Sequence, residues 1–471
     1  MNSILLDSNQ YLLNKYDIYA FDYIEYPHKS FWSEKFGDKD YREGLKSLFL
    51  SEKNPPVVLY VHIPFCPQMC WFCVCHFNIT HNYDRIKDYL TYLHSEIDMI
   101  RTFLNEHDIT PNFKECHLGG GSPTYLEEKE FLELKAKLQT ICSFDNLDEF
   151  TIEIDPRRVD QRRMHFYHEQ GIDRISFGVQ DFDLEVQKSI NRIQPPHLIK
   201  NLLTPDIRKH FKSVNFDLLV GLPKQTRESV RRTIDQVIDI GPDRIALSFM
   251  HYSPKYAPHQ KMMKKNDKLP DFRERKVLHE EAVQALVRSD YVRTGFEHFA
   301  KPTDDVAKAV KTKTVQYNSL GATSGRCSYL IGLGESSYGR IGERHYSQHL
   351  YEEGAYKERV SKGEFPIYRG HKLTQDDVIR RDVIHTLRSI FTLNCRDIEA
   401  RYRIVFNDYF KDEEPILDEF LRDGMIEITD GVLIITELGK NFSNLVCRIF
   451  DRYCRTDQFP DDFFDAPTVA L

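Results

Sequence analysis

Between residues 57 and 250 the chain alternates short β-branched and aromatic runs with longer stretches of helical periodicity. The runs span 57–63, 115–118, 150–154, 174–179, 213–220 and 244–250. Helical stretches follow them at 83–103, 127–141, 161–169, 185–190, 227–238 and 272–288. In the first of these, Ile86, Tyr89, Leu90, Leu93, Ile97 and Ile100 recur on one face. Repeated strand–helix units predict an α/β fold, with a parallel sheet and helices outside it. In such sheets ligands and chemistry gather at the carboxyl ends of the strands.

The loop after the first strand carries the densest chemistry. Cys66, Cys70 and Cys73 follow a C-x3-C-x2-C spacing, with Cys75 two residues on. Three thiolates can hold three irons of a cubic 4Fe-4S cluster and leave the fourth iron open. An open iron can bind S-adenosylmethionine and pass it an electron. The rival readings fit less well. A zinc site usually pairs two separated Cys/His couples, and no second couple of that spacing follows. A thioredoxin-like pair would use Cys70 and Cys73 and leave Cys66 unexplained. A disulfide staple suits small secreted chains, not 471 residues without a secretory signal.

Further motifs fall near strand ends. Gly119-Gly120-Gly121-Ser122-Pro123 lets a ligand touch backbone, though a plain turn would read the same. It is neither a G-x-G-x-x-G fingerprint nor a P-loop. Beside a sulfonium-binding cluster it becomes a contact for a methionine ammonium. In 151–155, Thr151, Glu153 and Asp155 share one strand face; Asn215 and Asp217 do the same in 214–218. Two acids on a central strand call for a polar cavity or a cation, because an unpaired buried carboxylate is costly. A surface-facing strand is the bland alternative for each. A barrel lumen that binds a sulfonium, an amine and ribose hydroxyls accounts for both strands together. Gln180 and Arg192, taken alone, read as a turn amide and a solvated arginine.

The flanks differ in character. Residues 1–55 read as an arm of short helices rich in aromatics, including Tyr16, Tyr19, Phe21, Tyr23 and Trp32, ended by Pro55-Pro56. Residues 56–300 form the core and 301–368 an extension with a substrate-side loop. Residues 369–471 form a helical C-terminal domain, entered through a helix cap at Thr374. A helix closed by Gly424 and a hairpin turning at Asp430-Gly431 make it resemble a winged helix. The net charge of −8 argues against a sequence-independent grip on nucleic acid. No apolar run approaches a membrane span. The first nineteen residues lack a leader's plan, and the crowded cysteines suit a reducing compartment, so a cytoplasmic location is expected.

Taken together these stretches resemble the radical S-adenosylmethionine superfamily, and within it the oxygen-independent coproporphyrinogen III oxidase (dehydrogenase) family. The resemblance is carried by 60–75, 119–126, 153–157, 177–182 and 217–226, and extends through His298-Phe299-Ala300 and 376–384. It implies a partial (β/α)6 TIM-like barrel. It implies that Cys66, Cys70 and Cys73 ligate the cluster and that Cys75 does not. Tyr60, Gly120, Glu153 and Asp217 match contacts to the S-adenosylmethionine on the cluster. Phe72, Gly121, Ser122, Gln180 and Arg192 match contacts to a second such molecule. The implied reaction turns porphyrinogen propionates into vinyl groups for haem synthesis, with electrons from a flavodoxin- or ferredoxin-like protein, in a monomer.

Three segments depart from the family pattern. Asp22-Tyr23-Ile24-Glu25-Tyr26-Pro27-His28 stands where the family has an arginine before Tyr-Thr-Ser-Tyr-Pro-Thr. Met250-His251-Tyr252 replaces Tyr-Ala-His, and 317–322 replaces Arg-Asn-Phe-Gln-Gly-Tyr. Two of these changes remove an arginine, a natural partner for carboxylates. They keep two other functions in view: methyl transfer or cyclopropanation on another substrate, and haem handling or delivery.

Overall fold

The core strands are Val57–Ile63 (β1), Phe113–Gly120 (β2), Glu149–Ile154 (β3), Arg174–Gln180 (β4), Ser213–Val220 (β5) and Arg244–Phe249 (β6). In this computed structural model, which describes residues 10–454 apart from 19, 52, 325 and 326, they run parallel and in chain order. Residues 1–9 and Tyr19 of the arm and residues 455–471 lie outside the described residues. Beyond β6, Val292–Arg293 (β7) and His298–Ala300 (β8) add an antiparallel edge. Tyr329–Leu333 (β9) pairs parallel with β1 at the other edge, completing a nine-stranded sheet.

The sheet curls into a partial barrel, because side chains from β2 to β6 and β8 line one common cavity. Strand alternation explains the division of labour. Ile152 and Ile154 of β3 are buried in the outer core, while Thr151 and Glu153 face the lumen. The helices between strands close this core with their apolar stripes; Ile86, Tyr89, Leu93, Ile97 and Ile100 of the helix Tyr83–Glu106 are fully buried. The helix Arg227–Ile240 begins with a reciprocal cap between Thr226 and Ser229 and stops at Gly241, at φ 74°.

The arm belongs to two cores. Leu12, Leu13, Tyr16, Phe21 and Tyr26 pack with C-terminal residues such as Ile384 and Phe442. Tyr41, Leu45 and Leu48, on the helix Asp38–Phe49, join the barrel core instead. Within the first half the arm crosses the carboxyl end of β6, where the Asp22 carboxylate lies 2.9 Å from His251 Nε2. In the C-terminal region the helix Gln375–Ile390, capped by Thr374, precedes a three-stranded antiparallel sheet. That sheet joins Thr392–Asn394, Val432–Ile435 and Ile426–Thr429, the helix-and-hairpin plan of a winged helix. Among the described residues no helix is long and apolar enough to cross a membrane.

Candidate active site

The cysteine loop leaves β1 at its carboxyl end and is closed on itself. Phe65–Cys66 pairs with Asn78–Ile79, and the Thr80 N–H donates to the Cys66 carbonyl at 3.1 Å. Neighbouring loops hold the stretch between. The Trp71 N–H donates to Ile190 O (3.0 Å), Asn191 Nδ2 to Met69 O (2.8 Å), Gln260 Nε2 to Phe72 O (2.9 Å) and His259 Nε2 to Cys73 O (2.8 Å). Four anchors from two parts of the chain, 190–191 and 259–260, therefore fix a segment with little regular structure of its own.

All four loop cysteines are free thiols. Two guanidinium groups approach one of them: Arg192 Nη1 lies 3.5 Å and Arg157 Nη2 3.7 Å from Cys70 Sγ. Asp155 holds both arginines, at 2.7 Å from Arg157 and 3.8 Å from Arg192. The guanidiniums beside it hold the Asp155 carboxyl below its ordinary value despite burial, at about 2. Burial pushes the Cys66 thiol up; the Cys75 thiol rises through its hydrogen bond with Cys73 and through burial. A coordinating metal removes such protons outright.

This donor set fits a 4Fe-4S cluster. Among the described residues no three His, Cys, Asp or Glu side chains converge enough to share a single metal ion. A cubane asks for something else, one thiolate per iron set around a volume. Cationic N–H donors aimed at a ligating sulfur are what a polyanionic cluster needs around it.

Below the loop, Glu153 is the hub. It accepts from His117 Nε2 at 3.1 Å and from the Gly120 N–H at 3.1 Å. Gly120 sits at φ +112°, and a Cβ there would stand 2.8 Å from the His62 ring. The glycine run thus serves protein neighbours: it lets β2 approach His62 and present an N–H to Glu153. His62 Nε2 donates to His76 O at 3.1 Å, so the Tyr60 hydroxyl donates to His62 Nδ1 at 2.9 Å. Tyr60 is thereby fixed, and it is buried.

Asp217 faces the same lumen from β5. Asn215 Nδ2 donates to one of its oxygens at 2.7 Å, Ser176 Oγ to the other at 2.9 Å. Burial, with Glu153 nearby, raises its carboxyl to about 6. Glu153, Asp217, Thr151 and Asn215 line one cavity of about 90 Å³. The two same-face groups read from strand alternation, Thr151 with Glu153 and Asn215 with Asp217, therefore share one lumen, whereas Asp155 is taken up by Arg157 and Arg192.

The other anticipated contacts scatter more. Gln180 ends β4 at φ 65°, Arg192 donates to Gly178 O on the same strand at 2.8 Å, and the two side chains flank Gly178, each about 3 Å from where its Cβ would stand. Phe72 packs with Val186, Leu222 and Met250. Gly121 donates its N–H to Ile63 O. Ser122 is buried, its hydroxyl 3.2 Å from Thr124 Oγ1. Sequence reasoning gave no role to Arg157, His117, His259 or Gln260. Only Arg157 left a signal, as a cation two residues after Asp155.

A cysteine-rich loop over the carboxyl end of a parallel partial barrel, with acids lining the lumen, defines a radical SAM protein; residues 60–237 match the Radical SAM superfamily. The chain is 35% identical over 446 residues to the oxygen-independent coproporphyrinogen III oxidase of Pseudomonas aeruginosa, covering 94% of this chain and 95% of that one. It is 33% identical to that of Synechocystis over 94% of each chain. A solved coproporphyrinogen III oxidase from Escherichia coli, described as a radical SAM enzyme, superposes with a TM-score of 0.84 at 32% identity, covering 94% of this chain and 98% of that one. The chain belongs to the oxygen-independent coproporphyrinogen III oxidase family of radical SAM enzymes.

Proposed function

We propose that this protein oxidatively decarboxylates propionate side chains of coproporphyrinogen III to vinyl groups, yielding protoporphyrinogen IX for haem synthesis. The observation that carries the reading is the thiol loop, with Cys70 under two guanidiniums, set above a lumen lined by Glu153 and Asp217. Cys66, Cys70 and Cys73 would hold a 4Fe-4S cluster, and Cys75 would stay unligated. When bound, cluster and S-adenosylmethionine together supply the one-electron cleavage that starts hydrogen abstraction. Tyr60, Gly120, Glu153 and Asp217 orient the sulfonium donor, and the two carboxylates complement its positive charge. Phe72, Gly121, Ser122, Gln180 and Arg192 are the contacts for a second S-adenosylmethionine; Ser122 would serve through its backbone, its hydroxyl being buried.

The lumen cavity, at about 90 Å³, is well below the roughly 300–1,000 Å³ of a drug-sized ligand site. A macrocycle therefore sits at the barrel mouth and sends only part of itself inward. The arm crosses that mouth at His251, and the 317–322 loop lines the lumen beside the amino-terminal ends of β3, β4 and β6. They are joined where Ser319 Oγ donates to Glu25 at 2.5 Å. A flavodoxin- or ferredoxin-like donor, a monomeric state, a cytoplasmic location and boundaries at 55/56, 300/301 and 368/369 complete the reading. Anaerobic reconstitution with coproporphyrinogen III, S-adenosylmethionine and a reductant tests it. The divinyl product is expected, and deoxyadenosine formation without decarboxylation rejects this substrate.

One observation favours a second reading, carbon transfer to another substrate. The three segments that depart from the family pattern touch one another, through Asp22 with His251 and Glu25 with Ser319. A rebuilt mouth and lumen wall suit a different occupant. A product heavier by one methyl or methylene would support it.

A further inference from the structure

His298 lies on β8 opposite Ala246 and lines the lumen cavity with Glu153 and Asp217, yet the reading above gives it no part. Its hydrogen bonds define its tautomer. The Tyr317 hydroxyl is 2.6 Å from Thr294 O and 3.0 Å from His298 Nδ1. A phenol has one proton. Thr294 O can only accept, so that proton lies on the 2.6 Å contact. The 3.0 Å contact is then Nδ1–H donating to the phenol oxygen.

The consequence falls on the other ring nitrogen. Burial, reinforced by the guanidiniums of Arg388, Arg174 and Arg244, lowers the His298 pKa to about 3, so the ring is neutral. With the proton on Nδ1, Nε2 carries a lone pair. Among the described residues no donor reaches Nε2 in the hydrogen-bond network, although the ring stands in a polar cavity. Gly321 keeps the space beside it open: a Cβ there would lie 2.7 Å from Nε2, and its φ of +114° suits only glycine. Arg388 lies over the Tyr317 ring at 4.3 Å and locks the tautomer-setting phenol in place.

We propose that His298 is a specificity-determining hydrogen-bond acceptor for the lumen's occupant, taking an N–H or O–H donor of that ligand at Nε2, with Tyr317 as its positioning residue. The chemistry selects a donor and rejects an anion, because a lone pair repels a carboxylate. Two sources supply such donors: the pyrrole N–H groups of a porphyrinogen, and the hydroxyls or amine of S-adenosylmethionine. The inference rests on the proposed function only for the first of these.

Anaerobic equilibrium dialysis of the reconstituted full-length protein separates them. Affinities for coproporphyrinogen III and for S-adenosylmethionine are measured for wild type, H298F, H298Q and Y317F, alongside iron content and melting temperature. H298F should weaken one of the two ligands about tenfold and leave the other unchanged. H298Q, which returns an acceptor near the Nε2 position, should recover to within about threefold. Y317F should weaken the same ligand as H298F, because the freed ring samples the wrong tautomer. Loss confined to coproporphyrinogen III assigns the pyrrole donor; loss confined to S-adenosylmethionine assigns its hydroxyl or amine donor. H298F that folds and binds both ligands as wild type overturns the inference. If H298F does not fold, unchanged affinities in Y317F overturn it. Wild type that binds S-adenosylmethionine but no coproporphyrinogen III defeats the proposed substrate; the S-adenosylmethionine results then decide on His298 alone.

Discussion

Asp217→Asn should stabilise the protein while disabling it. Burial raises the Asp217 carboxyl from an ordinary 3.8 to about 6. At 1.36 kcal/mol per unit, the ionised side chain costs the fold about 3 kcal/mol, or about 2 kcal/mol allowing for partial solvent contact. The folded-state value lies above the unfolded one. The penalty is therefore full above about pH 6 and vanishes once pH falls below 3.8, where both states bind the proton. Asparagine can keep both contacts, accepting from Asn215 and donating to Ser176. Unfolding entropy of roughly 2.1 cal/mol/K per residue over 471 residues is about 1 kcal/mol/K, so the apo-protein should melt about 2 °C higher at pH 7.5. At pH 5 that gap should shrink by roughly half. S-adenosylmethionine binding should fall at least about tenfold, a stability–function trade-off. Thermal melts at the two pH values, with dialysis of the ligand, measure all three. A variant less stable than wild type, or a gap unchanged at pH 5, would refute the burial argument.

Other perturbations have equally definite outcomes. Arg157→Met or Arg192→Met removes an N–H donor from Cys70 Sγ, so the cluster's midpoint potential should fall in an EPR-monitored titration; an unchanged potential would mean that neither arginine acts on the cluster. His259→Ala with Gln260→Ala frees the Cys73 and Phe72 carbonyls, at about 1 kcal/mol each, and should lower iron bound per chain after reconstitution. Asp22 raises His251 to about 9, so this contact between arm and barrel is intact below the unfolded-chain value near 6.5 and lost as pH climbs through about 9. Limited proteolysis of the arm should therefore accelerate above pH 9 in wild type, and Asp22→Asn should abolish that pH dependence. Gly120→Ala forces a Cβ against His62 at φ +112° and should cost about 1–3 kcal/mol, read as a lower melting temperature.

The parallel sheet was legible because each strand signals itself locally. Val57–Ile63 is buried throughout and reads as one apolar run, while β3 and β5 alternate polar residues with isoleucine, phenylalanine, valine and leucine. Lumen-facing Glu153 and Asp217 were found by that alternation, since period two fixes which face a residue takes. What escaped was set by tertiary approach. Nothing local to His259 or Gln260 reveals that their loop returns to hold the cysteine segment 186 and 188 residues earlier. The arm read as one element because its aromatics carry no address. Only the fold shows Tyr16 and Phe21 packing with the C-terminal core and Tyr41 with the barrel. The glycine triplet suggested ligand access from composition alone, whereas Gly120 is required by the His62 ring beside it. In the sequence His298 stands out only within the family-like run His298-Phe299-Ala300. Its acceptor nitrogen depends on a tyrosine nineteen residues away that local sequence cannot place.

The central claim is that Cys66, Cys70 and Cys73 hold a redox cluster that drives propionate decarboxylation over this lumen. The most direct test incubates the anaerobically reconstituted protein with coproporphyrinogen III, S-adenosylmethionine and a one-electron reductant, and identifies products by mass spectrometry. The account predicts the divinyl porphyrinogen with deoxyadenosine in wild type, and neither when any one of the three cysteines is replaced by alanine. A protein that takes up no iron and sulfide, or one whose product gains a methyl or methylene group instead of losing carbon dioxide, would contradict it.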